Sequence, residues 1–173
     1  MLTVEMFSLV ADNAFVGRVT AKYVVFAAGY EIPKYIKTRR HKIISTWAIA
    51  TKRQPSKLWP ERCFLWEASD PYLYIRTTPN GRVICGGEDE EFADAEKRDA
   101  LITKKTATLE RKLGTLFPWI DSKAEYAWTG SFGSSTTGLP SIGAILGMKN
   151  CFAIMAFGGN GITYARIAAE LIR

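Results

Sequence analysis

The chain has 173 residues, of which 47% are hydrophobic and 23% charged, and its 23 basic against 17 acidic side chains give a formal charge of +6. That length supports one domain with a real core or two small lobes, and the composition excludes a disordered chain. Three widely spaced cysteines without a CxxC pair, and a single histidine, exclude a disulfide framework, a zinc finger and any site that needs two histidines; this cysteine usage fits a reducing cytoplasm.

The N-terminal stretch MLTVEMFSLVADN carries acidic residues early and has no basic region ahead of an apolar core, so it reads as neither a signal peptide nor an anchor. Residues 2–7 and 16–20 read as short strands joined through Asp12 and Asn13. Residues 23–28 (YVVFAA) form a continuous apolar run ending at Gly29, the pattern of a strand covered on both faces in a layered α/β region. The character then changes. After Pro33 comes a basic run, 34–42, holding Lys34, Lys37, Arg39, Arg40 and Lys42, with His41 inside it. An acidic counterpart lies in Glu88, Asp89, Glu90, Glu91 and Asp94. Such a run is a solvated connection or a surface for nucleic acid or another polyanion. Only Tyr35 and Trp47 accompany it as stacking aromatics, so nucleic acid is not the expected partner.

A β-rich section follows at 42–51, 62–67, 72–78 and 82–87. Pro79-Asn80-Gly81 joins the last two as a hairpin with a loop longer than two residues. Strand periodicity puts Tyr72, Tyr74 and Arg76 on one face and Leu73, Ile75 and Thr77 on the other. Arg76 offers a planar fork suited to a carboxylate; the competing reading is a face of packed tyrosines with an arginine at its edge. Trp47, Trp66 and Trp128 are assigned to the core in preference to a pocket. Residues 94–117 read as the main helical section, with Asp94 as N-cap and Ile102, Leu109, Leu113 and Leu116 as its apolar stripe. A division at Thr103 is compatible with the pattern, and Pro118 stops it.

From Glu125 strand character returns (EYAWTG), passes through FGSSTTGLPSIG, and enters CFAIMAF. Lys149 and Asn150 interrupt the longest apolar stretch, leaving it far short of the roughly 20 residues that span a membrane. The chain closes on MAFGGNGITYARIAAELI. Glycine and asparagine at 158–161 let the backbone turn sharply, and Ile162, Ala165, Ala169 and Ile172 are expected on the buried face of the helix behind them. A helix start offers unpaired N–H groups and the positive end of its dipole, a natural seat for an anion. The residues admit a tight turn without a ligand equally well.

Four segments in this order resemble the C-terminal part of FAD-dependent oxidoreductases of the D-amino-acid oxidase and glycine oxidase family: VTAKYVVFAAGYE at 19–31, YLYIRTTPNGRVICGGEDE at 72–90, TGLPSIG at 137–143, close to the family's DGLPxIG, and AFGGNGITYARIAAELI at 156–172. The resemblance implies an α+β fold, mainly antiparallel sheet with flanking helices, and a partition into a remnant of the FAD-binding domain (1–31), a substrate domain (32–150) and a strand, loop and helix returning to the FAD-binding domain (151–173). It implies FAD as cofactor, met by Gly29, by the turn of Gly138, Leu139 and Pro140, and by Gly158, Gly159, Asn160, Gly161, Ile162 and Thr163. It implies a small amine or amino-acid-like substrate that yields a hydride equivalent to the flavin and assigns no catalytic residue; the chemistry of the 72–76 face offers Tyr72, Tyr74 and Arg76 as candidate binding residues for that substrate.

Two departures qualify that reading. Many family members carry an Arg-Pro shortly before DGLP, whereas here the stretch is Trp128 to Gly133 without an arginine, and Thr137 replaces the Asp. The family's G-x-G-x-x-G unit, whose helix start holds the pyrophosphate, is missing as well. The expectation is therefore a fragment of a longer flavoprotein, inactive by itself, with uncovered apolar surface that favours self-association.

Overall fold

The computed structural model describes residues 2–10, 13–30, 36 and 41–173, and side chains from residue 19 onward. It divides into two compact units, one made of 1–41 with 133–173 and one of 42–132; the sequence reading draws its boundaries at 31/32 and 150/151. The fold is α+β with mainly antiparallel pairing, as the family resemblance implies.

The first unit contains a hairpin of β1 (Leu2–Val10) and β2 (Asn13–Ala21), paired antiparallel along their whole length. Its second sheet takes β3 (Val24–Phe26) from the start of the chain. It takes β9 (Ser141–Ala144), β10 (Cys151–Met155) and the helix α3 (Gly161–Leu171) from the end. The order is β3-β10-β9, with β10 parallel to β3 and antiparallel to β9. The apolar run 23–28 is thus a strand over only three residues, and it is not covered on both faces. As the edge of its sheet, β3 leaves Val25 45% exposed. The helix α3 also differs from expectation: its buried residue is Ala168, with Gly161, Tyr164 and Ile172 partly buried on the same side, while Ile162 is 92% exposed. The small side chain of Ala168 is the one fully buried on that side, which turns the stripe one position from the Ile162, Ala165 and Ala169 face.

The second unit is a five-stranded sheet in the order β5-β6-β7-β4-β8. Its strands are β4 (His41–Thr51), β5 (Leu65–Trp66), β6 (Leu73–Thr77), β7 (Val83–Glu90) and β8 (Ala124–Ser135). The hairpin expected at Pro79-Asn80-Gly81 joins β6 to β7, with Thr78 N–H donating to Arg82 O at 3.0 Å. Asp94 caps α1 (Ala95–Ala100) by accepting from Lys97 N–H at 2.9 Å. The helical section divides at Leu101 before α2 (Ile102–Leu116), and the chain leaves the helix at Phe117, ahead of Pro118.

Strand alternation builds the core. Trp47 and Ile49 of β4, Leu73 and Ile75 of β6, and Val83 and Cys85 of β7 face the same side, where Leu109 and Leu113 of α2 meet them. Leu116 lies past this contact and is exposed. Gln54 and Thr51, buried beside this core, are paired: the Gln54 amide donates to Asp121 O at 2.8 Å and accepts from Asp121 N–H at 2.8 Å, and the Thr51 hydroxyl accepts from Val83 N–H at 3.0 Å. Trp47 is a core residue, as expected. Trp66 and Trp128 are not: Trp66 is 70% exposed, because β5 is only two residues long and pairing Leu65 with Ile75 sends Leu65 inward and Trp66 outward. Trp128 is exposed on β8.

Candidate functional site

Each unit carries one set of candidate residues. In the first unit the pairing decides their placement. Because β3 and β10 run parallel, the segment leaving β3 toward Gly29 and the segment leaving β10 toward Gly158 emerge at the same end of the sheet. Because β9 runs antiparallel with Ser141 opposite Met155, the turn of Gly138, Leu139 and Pro140 enters at that end too. Three stretches far apart in sequence thus gather where parallel strands end, the usual place for ligands in open α/β sheets.

The last of these stretches is built to stay open. Met155 ends β10, Ala156 is buried, and Gly158 turns at φ +56 while its N–H donates to Gly133 O at 2.8 Å. A side chain added at Gly133 would press the Ala156 backbone at 3.3 Å, so the loop lies directly on the end of β8. Outward, a Cβ at Gly158, Gly159 or Gly161 would meet no atom within 4 Å. The Asn160 side chain makes no capping bond and the first turn of α3 holds no acid. Tyr164 N–H is the first to find an intrahelical acceptor, Asn160 O at 3.1 Å, so the N–H groups of Gly161, Ile162 and Thr163 are left without one by helix geometry. The sites of Gly29 and Gly138 are equally open, and Ser135 steadies the second turn by donating to Leu139 O at 2.6 Å. Beside them, an apolar cleft of about 580 Å³ runs along β9 and β10, lined by Ile142, Ala144, Ala153 and Met155 among others.

In the second unit, the face of the sheet opposite the core carries the candidate substrate residues. Tyr72 and Tyr74 are partly buried there and Arg76 is exposed, on one face as the alternation predicts. Phe64 stacks on Tyr74 with centroids 6.5 Å apart, and Trp66 meets Tyr72 edge-on at 5.7 Å. Tyr74 fits because its neighbour across the ladder is Gly86, whose absent Cβ would occupy the space of the phenol ring. Burial pushes both phenols above their ordinary pKa, and the Asp89 carboxylate pushes them further. Sequence reasoning counts Asp89 within the acidic counterpart of the basic run and misses its place on this face.

On the core side, burial first and then the charges of Glu67 and Glu88 raise the Cys85 thiol from 9.0 to about 12. The folded protein therefore keeps this proton where the unfolded chain has lost it. The stabilisation is complete below about pH 9 and is lost as pH rises toward 12. We expect the urea midpoint to fall across that window and Cys85→Ala to flatten the fall. Tyr72 contributes in the same direction, so a wild-type slope that Cys85→Ala leaves unchanged would show the thiol to be uninvolved.

Of the basic run, only Ile36, His41 and Lys42 are among the described residues; Lys34, Tyr35, Lys37, Arg39 and Arg40 lie outside them. His41 Nε2 lies 2.9 Å from Ser141 Oγ, and Lys42 pairs with Glu91 at 2.8 Å. Among the described residues no group of His, Cys, Asp or Glu is arranged to hold a metal, and no helix is long and apolar enough to cross a membrane.

A model of the family described as "FAD dependent oxidoreductase" matches residues 5–173. The chain belongs to that family. Within it, this FAD-dependent oxidoreductase chain is 26% identical over 165 residues to the gamma-glutamylputrescine oxidoreductase of Escherichia coli (strain K12), covering 90% of the chain but 37% of that protein. Its fold is similar to that of glycine oxidase from Geobacillus kaustophilus (TM-score 0.72, 16% identity), with 98% of the chain and 46% of that structure covered. L-proline dehydrogenase from P. horikoshii gives a TM-score of 0.63 at 17% identity, over 98% of the chain and 49% of that structure. The chain thus spans less than half the length of each of these proteins.

Proposed function

We propose that the chain supplies the flavin-ring end and the substrate face of an FAD-dependent oxidoreductase acting on a small amine or amino-acid-like substrate. The observation that carries this reading is the gathering of Gly29, the Gly138 to Pro140 turn and the Gly158 to Gly161 loop at one end of the β3-β10-β9 sheet, in a chain of this family. The donor set suits the group: open glycines allow a flat ring to come close to backbone, and the N–H groups of Gly161, Ile162 and Thr163 suit an acceptor edge that gains negative charge. Bound FAD supplies a two-electron acceptor for the hydride of the substrate carbon that bears the amine.

The chain's own contribution is positioning. Arg76 binds a substrate carboxylate through its planar fork. Tyr72 and Tyr74 hold the substrate body, and their raised pKa values keep them neutral donors across the physiological range. The first-turn N–H groups of α3 are fixed before reaction and need no reorganisation as charge develops. The names of the similar proteins, an oxidoreductase of gamma-glutamylputrescine and an oxidase of glycine, support an amine or amino-acid substrate class. We place the phosphate-binding unit outside these residues, because they contain no G-x-G-x-x-G. On this reading the chain alone holds no FAD and has no activity, and its exposed apolar positions, Val25 and Ile162 among them, favour self-association. No described residue favours the alternative of polyanion binding through 34–42.

The test is flavin absorbance. Purified by itself, the 173-residue chain is expected to be colourless; joined to a dinucleotide-binding βαβ half from its family, it is expected to retain FAD. A joined protein that folds and binds no FAD would overturn the reading.

A further inference from the structure

The outer face of the five-stranded sheet ends in two opposite charges. Arg76 stands at one end, exposed, with no carboxylate paired to it among the described residues. Asp89 stands at the other, and a bulge puts it there. Gly87 lies opposite Leu73 on one side and Trp47 on the other, both core residues, so a regular strand would turn Glu88 outward and Asp89 inward. Instead the register shifts between Trp47 and Ser45, so that Glu90 lies opposite Ser45. Glu88 and Glu90 both ion-pair with Lys105 on the helix side, and Asp89 falls on the face of Tyr72 and Tyr74, whose phenols its charge pushes up.

The Asp89 carboxylate has acceptor capacity to spare. Its Oδ1 is buried and has no donor, a costly state that calls for a partner. The residue as a whole is only partly buried, and rotation about χ2 exchanges its two oxygens. Tyr72 and Tyr74 feel its charge, and Trp66 meets Tyr72 edge to face. A partly accessible carboxylate on a face of aromatic rings suits an ammonium group, attracted by the charge and by the ring faces together.

We propose that this face binds a substrate with two remote charges, an anionic group on Arg76 and an ammonium group at Asp89, and that Asp89 thereby selects ω-amino carboxylates over α-amino acids. The proposal rests on the reading of this face as the substrate side. From Tyr72, beside Asp89, to Arg76 is four residues of strand, about 13 Å at about 3.3 Å per residue. The reach of the two side chains shortens the gap, yet it far exceeds the one-carbon separation of charges in an α-amino acid.

The experiment measures tryptophan emission of the 173-residue protein, with Trp66 as reporter, during titration with glycine, γ-aminobutyrate, ε-aminocaproate and the ammonium-free control caproate. Wild type is expected to bind ε-aminocaproate about tenfold more tightly than caproate or glycine. Asp89→Asn is expected to erase the advantage over caproate while leaving caproate binding unchanged, Asp89→Glu to keep it, and Arg76→Gln to weaken both ligands. If Asp89→Asn keeps the advantage while Arg76→Gln still weakens caproate, the role of Asp89 is overturned and the substrate-face reading stands. If none of the four probes changes the emission, both are overturned.

Discussion

Replacing Gly87 with alanine is expected to cost about 3–5 kcal/mol of stability, read as a lower urea midpoint at unchanged slope. Two effects combine. Gly87 sits at φ +134, where an L side chain is strained, and a Cβ there would run into the carbonyl oxygen of Tyr72 and approach the Leu73 Cα at 3.4 Å. Both neighbours are backbone, Tyr72 just before β6 and Leu73 at its start, so nothing can swing aside; the strand itself must move. Gly86→Ala is the instructive control. Its Cβ would meet the phenol of Tyr74, a side chain able to rotate away. The expected result there is a smaller loss of stability with the aromatic face disturbed. A Gly87→Ala cost below about 1 kcal/mol would mean that the bulge does not have this geometry.

The second large effect is expected at Lys105→Met, with a loss of about 1–3 kcal/mol. Lys105 is 8% exposed yet fully partnered. Its Nζ donates to Glu88 O at 2.7 Å, pairs with Glu90 at 2.7 Å, and lies 4.6 Å from the centre of the Trp47 ring. Methionine nearly matches its length and keeps the contact with Trp47, so the loss isolates the charge. Glu88 retains Lys112, whereas Glu90 loses its ion-pair partner among the described residues. The same lysine fastens both residues that flank Asp89, so the variant is expected to weaken any ligand held by Asp89 as well. A loss under about 1 kcal/mol in chemical denaturation would show that the pairs are screened surface contacts.

Signals carried by neighbouring residues are legible in the sequence. The Asn80-Gly81 hairpin, the Asp94 cap and the alternation that buries Leu73 and Ile75 beside the outward Tyr74 each depend on a few adjacent positions, and all are present in the fold. Features that depend on a partner strand are not legible in this way. The face of Asp89 follows from one extra residue in β7, and strand periodicity, which advances one residue per step, has no way to register it. The outward position of Trp66 is set by which residue of β6 opposes it, and 62–67 shrinks to a two-residue strand. The α3 stripe lies one position from its expected place because Ala168, and not the larger Ile162, is the residue that packs inward. The gathering of three glycine stretches needs the parallel pairing of strands at opposite ends of the chain. Only the family resemblance implies that these stretches belong together.

That parallel pairing also imposes an order of assembly. Val24 cannot meet Cys151 until most of the chain has been drawn into a closed loop, and such contacts are slow to form. The intervening residues 42–132 make a contiguous unit. Its first strand, β4, and its last, β8, are neighbours, with Thr129 Oγ1 donating to Thr46 O at 2.7 Å. Once that unit has folded, the chain entering it and the chain leaving it are already side by side, and the loop to be closed between β3 and β10 is short. Since closure entropy grows with loop length, prior pairing of β4 with β8 lowers the entropic cost of bringing β3 to β10.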